Sequence, residues 1–172
     1  FSVFIFFLIG IGASTLLMFR SVNANVEKII DEDMVLVQSY EKMSYLMSQR
    51  VANLRGYLLT SEGRYLLNFN ENVKESETYQ QEITALDADS TTDNLFESLS
   101  EWEVYVQENI ITVLKDKQRA QAVQNMNTYA NPKAEEILAA ITERSDSHSA
   151  AIQSNGKVLV ANTNKGALIL AM

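Results

Sequence analysis

From Val26 onward the apolar residues of this chain recur as Val26, Ile30, Val37, Tyr40, Met47, Val51, Leu54 and Leu58. Spacing that alternates between four and three keeps one stripe of a long helix facing a partner. Asp33 and Ser44 are the two polar breaks in the stripe. A second stripe, Val22, Ile29, Leu36 and Met43, flanks the first. The apolar face is therefore wider than a two-stranded seam, which suits a bundle with some surface left over for a second chain. The first helix is expected to run to about Leu59.

The same period continues downstream. Thr60-Ser61-Glu62-Gly63 supplies a turn glycine and hydroxyl caps, after which Leu66, Phe69, Val73, Ser76, Gln80 and Ile83 mark a second helix ending near Leu86. The polar stretch Asp87 to Asn94 can cap a third helix carrying Leu95, Leu99, Trp102, Val106 and Val113. Lys115-Asp-Lys-Gln-Arg119 interrupts the pattern, and Ala120 to Tyr129 forms a short helical piece without a clear place. Asn131-Pro132 then reads as the start of the fourth helix. Asparagine caps, proline fits the first helical position, and Glu135-Glu136 suits the positive end of the dipole. Its seam reads Leu138, Ile141, Ser145, His148, Ile152, Asn155, Leu159 and Asn162. With no strand-like alternation and no internal repeat, the expected fold is all-α, an antiparallel up-down-up-down four-helix bundle.

Both ends of the chain are apolar. Residues 1–19 carry no charge, and Gly166 to Met172 read as the first turns of another apolar segment. At about 1.5 Å per residue the first run covers roughly 28 Å, close to the hydrocarbon thickness of a bilayer. The expected organisation is a membrane helix over 1–19, a four-helix domain over 20–165, and the start of a second membrane helix over 166–172, so that the long first and last helices continue into the membrane. A cleaved signal peptide is the alternative for the first run. Val22-Asn23-Ala24 is a poor cleavage site, however, and a signal peptide leaves the closing apolar run unexplained.

The net charge of −8 falls wholly between the apolar ends and argues against nucleic acid or an anionic membrane surface as a partner. The chain has no cysteine, hence neither disulfides nor thiolate metal sites. A single histidine, no glycine-rich phosphate loop and no spaced metal-ligand cluster leave enzyme chemistry little to stand on, and no cofactor is expected. Glu135-Glu136 and Glu101-x-Glu103 are pairs in sequence only, because neighbours one or two apart on a helix point to different faces. His148 sits on the seam, where it is a satisfied polar core residue, a ligand or a pH-sensing group.

The segment Arg50-Val-Ala-Asn-Leu-Arg-Gly-Tyr-Leu-Leu-Thr-Ser-Glu-Gly-Arg-Tyr-Leu66, together with Lys117-Gln-Arg-Ala-Gln-Ala122, resembles the four-helix-bundle sensor domains of bacterial methyl-accepting chemotaxis proteins. It also looks like the related helical sensors of some histidine kinases. The resemblance implies a homodimeric extracytoplasmic domain in the inner or plasma membrane, feeding a cytoplasmic signalling module through its second membrane helix. Its partner would be a small-molecule ligand, anionic if arginines hold it, or a ligand-loaded binding protein. In the amino-acid receptors of that family, arginines near the far end of helix one grip the ligand from both subunits and the start of helix four completes the pocket. By that resemblance the ligand residues here are Arg50, Arg55, Tyr129 and Asn131. Arg50 and Arg55 stand about 140° apart around one helix, so one chain does not aim both at a single small ligand. The competing reading pairs Arg55 with Glu62 or has it cap the carbonyls ending helix one. Ser145, His148, Asn155 and Asn162 stand where a static bundle would place leucine, which marks the fourth helix as the element that moves to transmit a signal. A membrane-tethered helical scaffold with no ligand is the alternative from a different class.

Overall fold

The computed structural model describes Leu16 and residues 19–170, the side chains of residues 162–170 excepted, and contains no strand among them. Helical backbone over residues 19–27 leads into a π-helical segment, Lys28–Asp33, and then α1, Met34–Thr60. Two residues separate α1 from α2, Gly63–Leu86. The third helix comprises α3, Ser90–Val106, a π-helical segment Gln107–Thr112, and the single turn α4, Val113–Lys115. The fourth comprises α5, Arg119–Asn125, a third π-helical segment Met126–Ala130, and α6, Asn131–Leu170. The result is an all-helical chain compatible with a four-helix bundle. Residues fall into two compact units, one spanning Leu36–Asp146 and the other formed by the chain up to Val35 and from Ser147 onward.

The larger unit is organised around Tyr40, Met43, Met47 and Leu54 from α1, Phe69 and Ile83 from α2, Leu95, Leu99, Trp102 and Val106 from α3, and Ala130, Ala134, Ile137 and Ile141 from the fourth helix, all buried. Trp102 is completely enclosed, and its indole N–H donates to the Ala130 carbonyl at 2.8 Å. Burial follows the expected period on α2, where Phe69, Ser76 and Ile83 face inward. On the first helix it holds for Tyr40, Met47, Val51, Leu54 and Leu58 but not throughout. Leu36 and Met43, expected on the surplus stripe, are buried, whereas Val26 and Ile30 are exposed and Asp33 takes the inward position beside them.

Two π-helical segments explain where the sequence period slipped. On the third helix Val106, Ile110 and Leu114 face inward, eight residues for two turns where a regular helix uses about seven. The wider i→i+5 turn at Gln107–Thr112 absorbs the extra residue, so Leu114 rather than Val113 takes the seam. The fourth helix corrects a larger expectation. It begins at Arg119, not at Asn131, and passes straight through Pro132. Proline lacks an N–H and crowds the carbonyl one turn back. Here the π turn Met126–Ala130 lies immediately before it, and Asn131 is already helical at φ −66° and ψ −52°. The unplaced piece from Ala120 to Tyr129 is thus the beginning of the fourth helix.

The turns use fewer glycines than the sequence implies. Gly63 simply opens α2, and the left-handed residue of the first turn is Ser61, at φ 57°. Arg119 holds this turn by donating to the Leu59 carbonyl at 2.6 Å and to Ser61 Oγ at 2.8 Å. Asp89 caps α3 by accepting from the Thr92 N–H at 2.8 Å, as the polar stretch Asp87 to Asn94 implies. Gly56 is needed for a different reason: a Cβ there would lie 2.6 Å from two ring carbons of Tyr65 on α2. Gly56→Ala gains about 1 kcal/mol of helix propensity. Overpacking at the base of a ring costs about 1–3 kcal/mol, so urea titration is expected to show a net loss of about 1 kcal/mol, and Tyr65→Ala in the same chain is expected to reverse its sign.

Among the described residues no helix is long and apolar enough to cross a membrane. The expected membrane segments, 1–19 and 166–172, fall almost wholly on residues, or on side chains, outside those described.

Candidate functional site

Arg50, the first expected ligand residue, is 1% exposed and points into the larger unit. One of its terminal nitrogens donates to Glu103 Oε1 on α3 at 2.5 Å. The other reaches the carbonyls of Asn72 and Val73 on α2, at 3.2 and 3.3 Å, and Ser76 Oγ. Its Nε is buried with no partner. Burial lowers the Arg50 guanidinium, and the attraction of Glu103 only partly offsets this. Burial likewise raises the Glu103 carboxyl against the opposing pull of Arg50. Both shifts say that desolvation outweighs mutual attraction. Arg50 therefore ties three helices together from inside, with its terminal donors already engaged by protein.

Arg55 and Asn131 do meet. Arg55 donates to Asn131 Oδ1 at 3.0 Å on the exposed side of the first and fourth helices. Neither role weighed as the alternative for Arg55 falls to it: Glu62 pairs with Arg64 at 2.7 Å, and Arg119 caps the end of α1. Tyr129, two residues before Asn131, points elsewhere and stacks on Tyr105 of α3, ring centroids 4.1 Å apart. The four residues expected to form one ligand site are thus distributed over three places: Arg50 in the core, Arg55 with Asn131 at the surface, and Tyr129 beside α3.

The expected transmission residues lie along α6. Ser145 is 9% exposed. His148 Nδ1 lies 3.7 Å from Asp33 Oδ1, and Asn155 Nδ2 donates to Asp33 Oδ2 at 3.5 Å. Asp33, which the sequence shows only as a break in a stripe, is the shared acceptor and is 5% exposed. The side chain of Asn162 is outside those described.

Sequence reasoning passed over Arg144. Its guanidinium pairs with Asp87 and, at 2.9 Å, with Asp89, and lies 3.2 Å from Thr92 Oγ1. Tyr40 donates its phenol to Asp87 at 2.7 Å. Burial alone would lower Arg144, but hydrogen bonds to Tyr40 and Asp87 outweigh it and hold the guanidinium firmly charged. Burial raises the Tyr40 phenol, which stays a donor. The cluster fastens the α2–α3 turn to α1 and α6. Its signal was a run of carboxylates and hydroxyls, Asp87 to Asn94, that called for a half-buried cation elsewhere in the chain.

No group of carboxylates and histidine among the described residues is arranged to hold a metal ion. No family model matches the chain, and comparisons with curated proteins and with solved structures gave no match.

Proposed function

We propose that the chain is the extracytoplasmic sensory domain of a bacterial transmembrane chemoreceptor of the methyl-accepting type, acting as a homodimer. Binding of a small-molecule ligand, or of a ligand-loaded binding protein, displaces the fourth helix and through it the second membrane helix. The observation that carries this reading is the polar seam of the fourth helix. Asp33, His148 and Asn155 meet at 3.5 to 3.7 Å where a static bundle would bury leucine. Such a contact stabilises little, since imperfectly paired buried polar groups gain far less than apolar burial, and a weakly held helix is one that a ligand can shift.

Hydrogen bonds support the antiparallel order. Ser39 and Arg50 on α1 meet Glu82 and Ser76 on α2, so positions that rise on one helix fall on the other. The apolar composition of residues 1–19 and 166–172 supports anchoring at both ends. An anionic ligand would find Arg55 beside Asn131 at the surface, not Arg50.

Because these 172 residues hold no cysteine, a single Gln121→Cys in the full-length protein, with any cysteine outside them replaced, gives a clean test. Gln121 is exposed on α5, and a membrane-impermeant maleimide is expected to label it in intact cells. Labelling only after permeabilisation would place the domain on the cytoplasmic side and end the receptor reading.

A further inference from the structure

The face of α3 that meets the fourth helix carries a groove of about 360 Å³ that no expected role uses. Tyr105 and Tyr129 form its floor, their rings 4.1 Å apart and tilted by 36°. Glu101 and Glu108 lie along the same wall of the third helix, seven residues and so about 10 Å apart, with Val104 and Tyr105 between them. Asn109 closes one end and is pinned on both sides: its Nδ2 donates to the Tyr105 carbonyl at 3.3 Å, and its own carbonyl accepts from Asn125 at 2.7 Å. Glu108 and Asn109 belong to one π-helical segment and Tyr129 to another. Two wide helical turns, a feature frequent at functional sites, therefore face the same groove.

Val104 is 54% exposed and Tyr129 38%. Among the described residues, neither carboxylate has an ion-pair partner, and neither phenol oxygen a hydrogen-bond partner. The lining holds no lysine or arginine. Negative ring faces beside two uncompensated carboxylates form a field that favours positive charge, while the apolar walls favour a cation that carries carbon. A metal ion would need convergent oxygens, which acids two turns apart do not supply. Burial and the neighbouring Tyr129 both raise the Tyr105 phenol, so that ring remains neutral.

We propose that this groove binds an organic ammonium cation, held against the Tyr105–Tyr129 pair and flanked by Glu101 and Glu108. The site lies wholly within Leu36–Asp146 and does not depend on the receptor reading. It is separate from the Arg55–Asn131 contact, whose charge suits the opposite kind of ligand.

The test is calorimetric titration of the full 172-residue chain with tetramethylammonium chloride, against sodium chloride at equal ionic strength. Saturable binding is expected for tetramethylammonium alone. Tyr129→Phe, which keeps the ring face, should bind within about twofold of the parent. Tyr129→Leu, which removes it, should bind roughly two- to thirtyfold more weakly, the range of cation–π strengths expressed as affinity. Glu108→Lys, at an exposed position, should abolish binding with the helical circular-dichroism signal intact. It serves as the second variant if Tyr129→Leu fails to fold. No saturable heat with the parent, or equal affinity in Tyr129→Leu and Glu108→Lys, would overturn the proposal.

Discussion

Arg50→Ala is expected to lower the stability of the chain by about 3–5 kcal/mol, the cost of leaving one member of a buried ion pair without the other. The lower end of that range is the expectation here, because Glu103 is 28% exposed and water can reach part of its carboxylate. Asn72, Val73 and Ser76 lose a shared donor as well. The paired replacement behaves differently. Arg50→Met with Glu103→Leu removes both charges together and is expected to be neutral or to stabilise by about 1–4 kcal/mol, in keeping with desolvation outweighing attraction at both groups. A pH profile follows from the same shifts. The folded Glu103 carboxyl is raised above its unfolded value, so its contribution to stability is complete below the unfolded value and is lost as pH rises through the folded one. Glu103→Gln should flatten that slope. Urea titrations of the three variants across acid to neutral pH measure all of this, and an Arg50→Ala chain as stable as the parent would show that the guanidinium is not the core strut described above.

How far the sequence reveals this molecule depends on what each signal measures. The period of apolar residues reports which side of a helix is driven from water, and on α2 and α3 it identified Phe69, Ile83, Leu95, Leu99 and Trp102 as inward. It cannot report a change in helical pitch, because a π turn alters the register without altering composition. Hence Val113 for Leu114, and hence a fourth helix expected to start at a proline that in fact sits inside it. Polar residues on an apolar stripe were the weaker signal. Asp33 looked like an interruption and Arg50 like a ligand-binding cation because one sequence shows that a charge is present but not whether its partner is buried beside it. Glu103, the carboxylate that decides the case for Arg50, lies 53 residues downstream. Tyr129 entered only as an expected ligand residue beside Asn131, and its stacking partner Tyr105 was hidden for the same reason.

The seam between Asp33 and the fourth helix gives the sharpest test of transmission, and its geometry changes the design of the experiment. Filling His148 alone with leucine does not simply add apolar contact. It leaves Asp33, 5% exposed, with only the long contact from Asn155, and an unsatisfied buried acceptor costs about 1–3 kcal/mol or more when charged. His148→Leu is therefore expected to destabilise. Asp33→Leu, His148→Leu and Asn155→Leu made together remove the whole polar contact, and each added side chain can contribute about 1.5–3 kcal/mol of burial. The triple variant should melt well above the parent. If the fourth helix transmits by shifting along this seam, the same variant in the full-length protein holds it in one arrangement, because a ligand can displace the helix only by as much as it prefers the second state. Output should then be silent or fixed, with ligand binding retained. A triple variant that is more stable yet responds with unchanged amplitude and sensitivity would remove this seam from the mechanism while leaving the fold as it stands.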